Sequence, residues 1–157
     1  MAENQPKRLT APRLHSFKYT GPYAYFITIC TYSRLPLLKG ETLVSGILAL
    51  LESACDEESF HLMAYCFMPD HLHLLVAGEE KSSLAKLVKR FKQNSSFHYR
   101  GGGGSHLWQR SYYDHVLRCE EEVVEVARYI WENPIRKGLV ETISDYPFSG
   151  PVDLMPS

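Results

Sequence analysis

Residues 60–77 of this chain read FHLMAYCFMPDHLHLLVA, two apolar runs separated by a short turn sequence. The runs at 60–67 and 71–77 have the length and composition of strands, and Met68-Pro69-Asp70 between them is typical of a turn. The pattern predicts an antiparallel hairpin. Its second strand is expected to lie centrally in a sheet, because it is apolar almost throughout.

The flanking segments add two more strands and three helices to this hairpin. Aromatic and β-branched residues at 23–32 predict a first strand, and helical apolar spacing predicts a helix at 43–54. After the hairpin come a basic amphipathic helix at 83–100, a strand at 112–117 and a final helix at 120–133, which Asn133-Pro134 ends or bends. The order β-α-β-β-α-β-α indicates an α+β, ferredoxin-like fold, with a four-stranded, mostly antiparallel sheet, two helices on one face and a C-terminal helix.

Length and composition are those of one folded domain. The chain has 157 residues, of which 45% are hydrophobic. We expect a basic N-terminal arm at 1–20, a single domain at 21–141 and a Pro-containing tail at 142–157. No apolar run approaches the ~20 residues of a membrane span, and the four cysteines include no C-x-x-C pair. We therefore expect a cytoplasmic protein that does not contact membranes.

The near-neutral net charge of −1 conceals strongly charged blocks. Residues 81–100 carry six Lys or Arg and no acid, and residues 1–39 carry six against a single Glu, whereas residues 40–80 carry eight acids and no Lys or Arg. Aromatic residues lie among the basic ones, a combination typical of proteins that bind single-stranded nucleic acid. The alternative is that both basic segments are ordinary solvated surfaces.

Two histidines, His71 and His73, alternate along the predicted third strand. Alternate side chains of a strand point to the same face, so the two imidazoles can share one metal ion. Both could instead be structural histidines. A hydrolase with an H-x-H-x-H pattern is disfavoured, because the third alternating position is Leu75, which cannot be a ligand or a nucleophile.

Two further polar groups lie together on the final helix. On a helical wheel Val123, Val124, Ala127, Ile130 and Trp131 form the apolar stripe that faces the core. Tyr129 falls on the opposite, polar side, and Asn133 follows it one turn later. Tyr129 could also be an exposed ring, and Asn133 could cap the turn that precedes Pro134.

Together these groups suit one chemistry on a phosphodiester. Two imidazoles and a carboxamide oxygen can hold a divalent cation while leaving positions open for phosphate oxygens. A phenol can then attack phosphorus and form a covalent phosphotyrosine, which stores the bond energy for later rejoining.

The chain resembles the single-tyrosine HUH transposases, and within them the REP-associated tyrosine transposases. Five blocks carry the resemblance: YFITICTYSR (25–34), FMPDHLHLLV (67–76), KRFKQNSS (89–96), LWQRSYYDHVLR (107–118) and YIWENPIRKGLV (129–140). The resemblance implies that His71, His73 and Asn133 bind Mg²⁺ or Mn²⁺ and that Tyr129 is the nucleophile. It also implies hairpin-specific nicking and strand transfer of single-stranded DNA, which leaves a 5′-phosphotyrosine and a free 3′-OH. Asp70 is a departure, because the family usually has Asn there.

The resemblance also implies a DNA partner and contacts for the basic segments. The partner is single-stranded DNA with REP-like palindromic hairpins, bound by a monomer or a homodimer at the nucleoid. The expected DNA-binding residues are Arg8, Arg13 and Lys18 in the arm and Lys86, Lys89, Arg90 and Lys92 on the basic helix. The alternatives are a hairpin-binding protein of the same fold without catalysis, a nuclease that only hydrolyses, and Tyr112 or Tyr113 as the nucleophile.

Overall fold

The computed structural model describes residues 20–101 and 106–156. The strands are β1 (Ala24–Cys30), β2 (Phe60–Met68), β3 (His71–Gly78), β4 (Tyr113–Leu117) and β5 (Ser149–Gly150), and the helices are α1 (Glu41–Glu57), α2 (Leu84–Gly101) and α3 (Glu120–Arg136). Short 3₁₀ turns lie at Tyr32–Arg34, Ile143–Asp145 and Val152–Leu154. The predicted arm falls outside the described residues, apart from Thr20. No described helix is long and apolar enough to cross a membrane.

The strands form one antiparallel sheet in the order β4-β1-β3-β2-β5. The β2–β3 hairpin at the centre is the predicted one, and Cys66 of β2 lies opposite His73 of β3. On the other side, Thr28 of β1 lies opposite His73. The first four strands and the three helices confirm the predicted ferredoxin-like α+β fold with its additional helix, and the two-residue β5 adds a fifth strand.

Each face of the sheet is covered by different helices. The side chains of Leu72, Leu74 and Val76 on β3 belong to the core under α1 and α2. Leu75 belongs to the second core, under α3, and the alternation of side chains along a strand puts His71 and His73 on that same face. Strand β3 is therefore buried on both sides, which explains its apolar sequence.

Helix α3 begins at Glu120, as predicted, but extends beyond the predicted C-terminal end at residue 133. It continues through Pro134 to Arg136, because a proline removes only one helical N–H donor there. A Schellman motif then ends it: Gly138 has a φ of 72°, and the N–H groups of Gly138 and Leu139 donate to the carbonyls of Ile135 and Pro134. Val124, predicted to face the core, is 58% exposed, whereas its neighbour Val123 packs against the core under α3.

The C-terminal segment is part of the packed structure. Ser149 and Gly150 pair with Cys66 and Tyr65 at the edge of β2. The indole Nε1 of Trp131 on α3 donates a 2.9 Å hydrogen bond to the carbonyl of Gly150. The segment thus connects α3 to the sheet on the side away from β4.

We expect Trp131→Phe to lower the free energy of unfolding by about 1–3 kcal/mol, because the buried Gly150 carbonyl loses its donor. Urea titration measures this change. Val124→Ala, at an exposed position of the same helix, is the control and is expected to stay within about 0.5 kcal/mol of wild type. Equal stability of Trp131→Phe and wild type would show that the indole hydrogen bond contributes nothing.

Candidate active site

A cavity of about 860 Å³ lies between the sheet and α3. Its lining includes all four groups singled out in the sequence: His71 and His73 of β3, and Tyr129 and Asn133 of α3. The two histidines precede Tyr129 and Asn133 by at least 56 positions in the sequence. Helix α3 brings the four groups together because its apolar stripe packs on the same sheet face. All four groups belong to a single chain.

Each histidine is oriented by a hydrogen bond at Nδ1. His71 Nδ1 donates to Asp70 Oδ1 at 2.7 Å, and His73 Nδ1 lies 2.9 Å from the hydroxyl of Thr28. The two imidazole rings are nearly perpendicular, with centroids 4.6 Å apart. This arrangement leaves Nε2 of each ring available as a ligand, the tautomer that metal-binding histidines generally adopt.

The carboxamide of Asn133 faces the first imidazole. Asn133 is only 3% exposed, and its amide nitrogen lies 3.3 Å from Nε2 of His71. Rotating the amide by half a turn puts its carbonyl oxygen in this place, so the side chain can present either a donor or an oxygen ligand to the same point. Although the wheel grouped Asn133 with Glu122, Glu125 and Glu132, it is buried at the pocket rather than solvated.

Burial favours the neutral form of both imidazoles. It lowers the pKa of His71, although the hydrogen bond to Asp70 acts in the opposite direction. Burial lowers the pKa of His73 well below the ordinary value, and the neighbouring His71 acts in the same direction. Neutral imidazole is the form that binds metal ions.

Tyr129 is half-buried, and three side chains surround its ring. The ring centroids of Phe26 and His73 lie 5.9 and 6.0 Å away, both in edge-on contacts. The guanidinium of Arg136 lies over the ring face, 3.9 Å from the centroid, and donates to the backbone carbonyl of Tyr129. The ring of Tyr129 is therefore held beside the imidazole of His73.

The donor set fits a divalent cation. Two neutral imidazoles and a carboxamide are borderline and hard ligands of the kind that Mg²⁺, Mn²⁺ and Zn²⁺ accept. The part of the chain that the structure describes holds no group of three His, Cys, Asp or Glu side chains arranged for a metal. The set here is of a different kind, because its third member is an amide.

The buried histidines predict a loss of stability in acid. Below pH ~6.5 the unfolded chain binds protons at His73 that the native state excludes, so stability falls as the pH falls. From pH 7.5 to 5.5 this effect amounts to about 1.4 kcal/mol for one such histidine. In urea titrations with EDTA, His73→Leu is expected to reduce the pH dependence by about that amount. Val124→Ala, at an exposed position without a titratable group, is the control and should leave it unchanged. An unaltered pH dependence in His73→Leu would contradict the prediction.

The structure does not bring the basic helix to this site. Helix α2 packs on the opposite face of the sheet, so Lys86 and Lys89 are exposed there. Arg90 is paired with Glu57 and Glu58. Lys92 donates to the backbone carbonyls of Gln109 and Arg110. Arg8, Arg13 and Lys18 lie outside the described residues, and a DNA-binding role for all seven stays a prediction.

Other residues at the pocket were not identified from the sequence. Arg34 and Lys137 line its wall, and Arg136 covers Tyr129. A signal for Arg136 existed, since it follows Tyr129 by seven residues and thus lies on the same helix face. Because Asn133-Pro134 was expected to end or bend the helix, residue 136 was left outside the predicted helix and its position relative to Tyr129 was not considered. Tyr113 also lines the pocket, which keeps it as an alternative nucleophile.

Comparison with known proteins shows similarity to transposases over most of the chain. Residues 21–133 match the family model described as Transposase IS200 like. A Haemophilus influenzae protein, whose name places it among the REP-associated tyrosine transposases, is 27% identical over 147 residues, which cover 83% of this chain and 81% of that protein. The Escherichia coli REP-associated tyrosine transposase is 26% identical over 96 residues, 59% of this chain and 55% of that protein.

One solved structure has the same fold over nearly the whole chain. It is a REP-associated tyrosine transposase bound to a REP hairpin, with a TM-score of 0.76 and 21% identity, and the match covers 91% of this chain and 88% of that one. The resemblance inferred from the five sequence blocks is thus confirmed. Because the family model matches well over half of the residues of this chain, the chain belongs to the IS200-like transposase family.

Proposed function

We propose that this protein nicks single-stranded DNA beside a hairpin and transfers the cut strand through a covalent 5′-phosphotyrosine on Tyr129. One observation carries the proposal. The phenol of Tyr129 and the carboxamide of Asn133, both from α3, lie in one pocket with the imidazoles of His71 and His73 from β3. A phenol beside a set of metal ligands suits a metal-assisted transfer of a phosphoryl group to tyrosine.

The proposed reaction balances without a further co-reactant. The phenolic oxygen of Tyr129 forms a bond to phosphorus, and the bond from phosphorus to the 3′ oxygen breaks. The phenol loses its proton and the departing 3′ oxygen gains one. In the second step a different 3′-OH attacks the phosphotyrosine, which releases the phenol and restores a phosphodiester.

His71, His73 and Asn133 would hold a divalent cation, Mg²⁺ or Mn²⁺, which would supply charge neutralisation for the reacting phosphate. The residues of the chain supply the rest. Phe26 and Arg136 hold the ring of Tyr129, which restricts the phenol to the region next to the imidazoles. Arg34 and Lys137, on the pocket wall, attract the phosphodiester to this site.

The proposed partner is a single-stranded DNA hairpin with a REP-like palindrome, as in the bound state of the structurally similar transposase. We propose that the basic arm at 1–20 and the exposed Lys86 and Lys89 on α2 contact it, while Arg90 and Lys92 contribute less because other groups already engage them. The domain at 21–141 would act at the nucleoid. Because all four site groups come from one chain, a monomer is sufficient for one active site.

The test uses labelled single-stranded hairpins with Mg²⁺ or Mn²⁺ and detects DNA attached to the protein after denaturation. An adduct together with a free 3′-OH product supports the proposal. Tight hairpin binding without cleavage would favour the non-catalytic DNA-binding alternative. Cleavage without an adduct would favour a nuclease that hydrolyses.

A further inference from the structure

We propose that Arg34 and Asp70 form a positioning pair that holds His71 in the orientation needed to bind a divalent cation. The inference rests on the proposed function, because it deepens the account of the same metal site. Arg34 and Asp70 do not touch the phenol of Tyr129, and neither side chain is a proposed ligand of the cation. Arg34 and Asp70 are thus positioning residues and not catalytic ones.

A continuous chain of contacts connects Arg34 to the imidazole. The guanidinium of Arg34 contacts Oδ2 of Asp70 through Nε at 3.1 Å and through Nη2 at 3.0 Å. The other carboxylate oxygen, Oδ1, accepts the 2.7 Å hydrogen bond from His71 Nδ1. Both oxygens of the carboxylate are thus engaged, so the carboxylate cannot rotate without breaking one of the two contacts. On its far side the same imidazole presents Nε2 to Asn133.

The third nitrogen of the guanidinium, Nη1, contacts the end of strand β1. Arg34 Nη1 lies 3.0 Å from the sulfur of Cys30, and Cys30 is the residue that pairs with His71 across β1 and β3. The N–H groups of the planar guanidinium point in different directions, so Arg34 can contact the Asp70 carboxylate and the Cys30 sulfur at the same time. The single ammonium group of a lysine lacks this geometry. The side chain of Arg34 is 52% exposed, so filling the core does not explain where it lies.

The backbone around Arg34 is shaped to direct this side chain. Ser33 and Arg34 both adopt left-handed conformations, with φ of 52° and 56°, which residues other than glycine seldom adopt. Backbone and side-chain hydrogen bonds hold the turn against the β2–β3 hairpin: Thr31 donates twice to the Asp70 carbonyl, and Leu38 N–H donates to the Pro69 carbonyl. Two consecutive strained residues next to a site indicate that the conformation is retained for function.

Carboxylates that hydrogen-bond the distal nitrogen of a ligating imidazole fix its orientation and raise its basicity. Removing such a group generally weakens metal binding about 10- to 100-fold. A plain surface ion pair at the hairpin turn would instead change folding stability slightly and leave metal affinity unchanged. Metal affinity therefore separates the two interpretations.

The experiment measures Mn²⁺ binding to the DNA-free protein, by calorimetry and by the EPR signal of unbound Mn²⁺. We expect Asp70→Ala to weaken binding about 10- to 100-fold and Arg34→Met to weaken it about 10-fold. Asp70→Asn, whose amide oxygen can still accept from His71, and Arg34→Lys, which keeps the charge, should lie between these variants and wild type. Urea titration identifies any variant that fails to fold.

Arg90→Met is the matched control, because Arg90 also bridges carboxylates, Glu57 and Glu58, but on the other face of the sheet. Its Mn²⁺ affinity should equal that of wild type. Wild-type affinity in folded Asp70→Ala and Arg34→Met, with a clear loss in His73→Ala, overturns the positioning role while the metal site stands. If the wild type binds no Mn²⁺, or His73→Ala binds it as well as wild type, the metal site itself fails and this inference fails with it.

Discussion

Tyr129→Phe is expected to abolish the attachment of DNA to the protein. Phenylalanine lacks the oxygen that forms the bond to phosphorus, so the cleavage rate should fall by about 1,000-fold or more. The ring contacts with Phe26, His73 and Arg136 do not involve that oxygen and can persist. Hairpin affinity and the free energy of unfolding should therefore stay near wild type. Denaturing gels with a labelled strand and a binding titration measure the two quantities.

Tyr113→Phe is the control for this experiment. Tyr113 lies on β4, lines the same pocket and is half-exposed, but no carboxamide follows it at four residues. We expect it to alter cleavage only a few-fold. If Tyr129→Phe still forms the adduct and Tyr113→Phe does not, the nucleophile is Tyr113 on β4 and not Tyr129 on α3.

His73→Ala should cause the second large effect, a loss of cation-dependent cleavage. A metal ion supplies several kcal/mol of charge stabilisation in such reactions. Losing about 3–4 kcal/mol corresponds to a rate lower by about 100- to 1,000-fold. The residual rate should no longer increase with Mn²⁺ concentration, because one of the three proposed ligands is absent. Single-turnover cleavage across a series of Mn²⁺ concentrations measures both properties.

His98→Ala, at an exposed histidine on α2, controls for the loss of an imidazole elsewhere. It should cleave at the wild-type rate with the same Mn²⁺ dependence. A His73→Ala variant that is folded, binds hairpin DNA and cleaves with unchanged Mn²⁺ dependence contradicts the proposed ligand set. It would leave Tyr129 as a nucleophile that does not depend on this imidazole.

Local patterns were sufficient to predict part of the site. The two-residue spacing of His71 and His73 places both rings on one face, and the structure puts that face under α3. The wheel separated Tyr129 from the apolar stripe, and Ile130 and Trp131 are indeed in the core while Tyr129 reaches the pocket. These properties follow from the periods of strands and helices, which depend on the backbone alone.

Properties that depend on distant partners were not predictable in this way. Arg90 is paired with Glu57 and Glu58 of α1, and Lys92 donates to two loop carbonyls. The charge pattern of the sequence does not predict these partners, and the DNA-binding role of both residues stays a prediction. Asn133 was placed on the polar side of α3 as a candidate ligand, but its burial against His71 depends on the packing of α3 on the sheet. Residues 142–157 were predicted to be a Pro-containing tail, and the structure shows that Ser149 and Gly150 of this segment pair with the edge of β2.

The amino-acid sequence by itself determined the element order, the central hairpin and the face on which each candidate group lies, because these depend on spacing within a few residues. Only the tertiary structure decided which groups meet: Arg34 with Asp70 and His71, and Arg136 with Tyr129. The physical reason is that a long side chain has many rotamers, and contacts with other segments of the chain determine which rotamer is stable. No local period specifies such contacts.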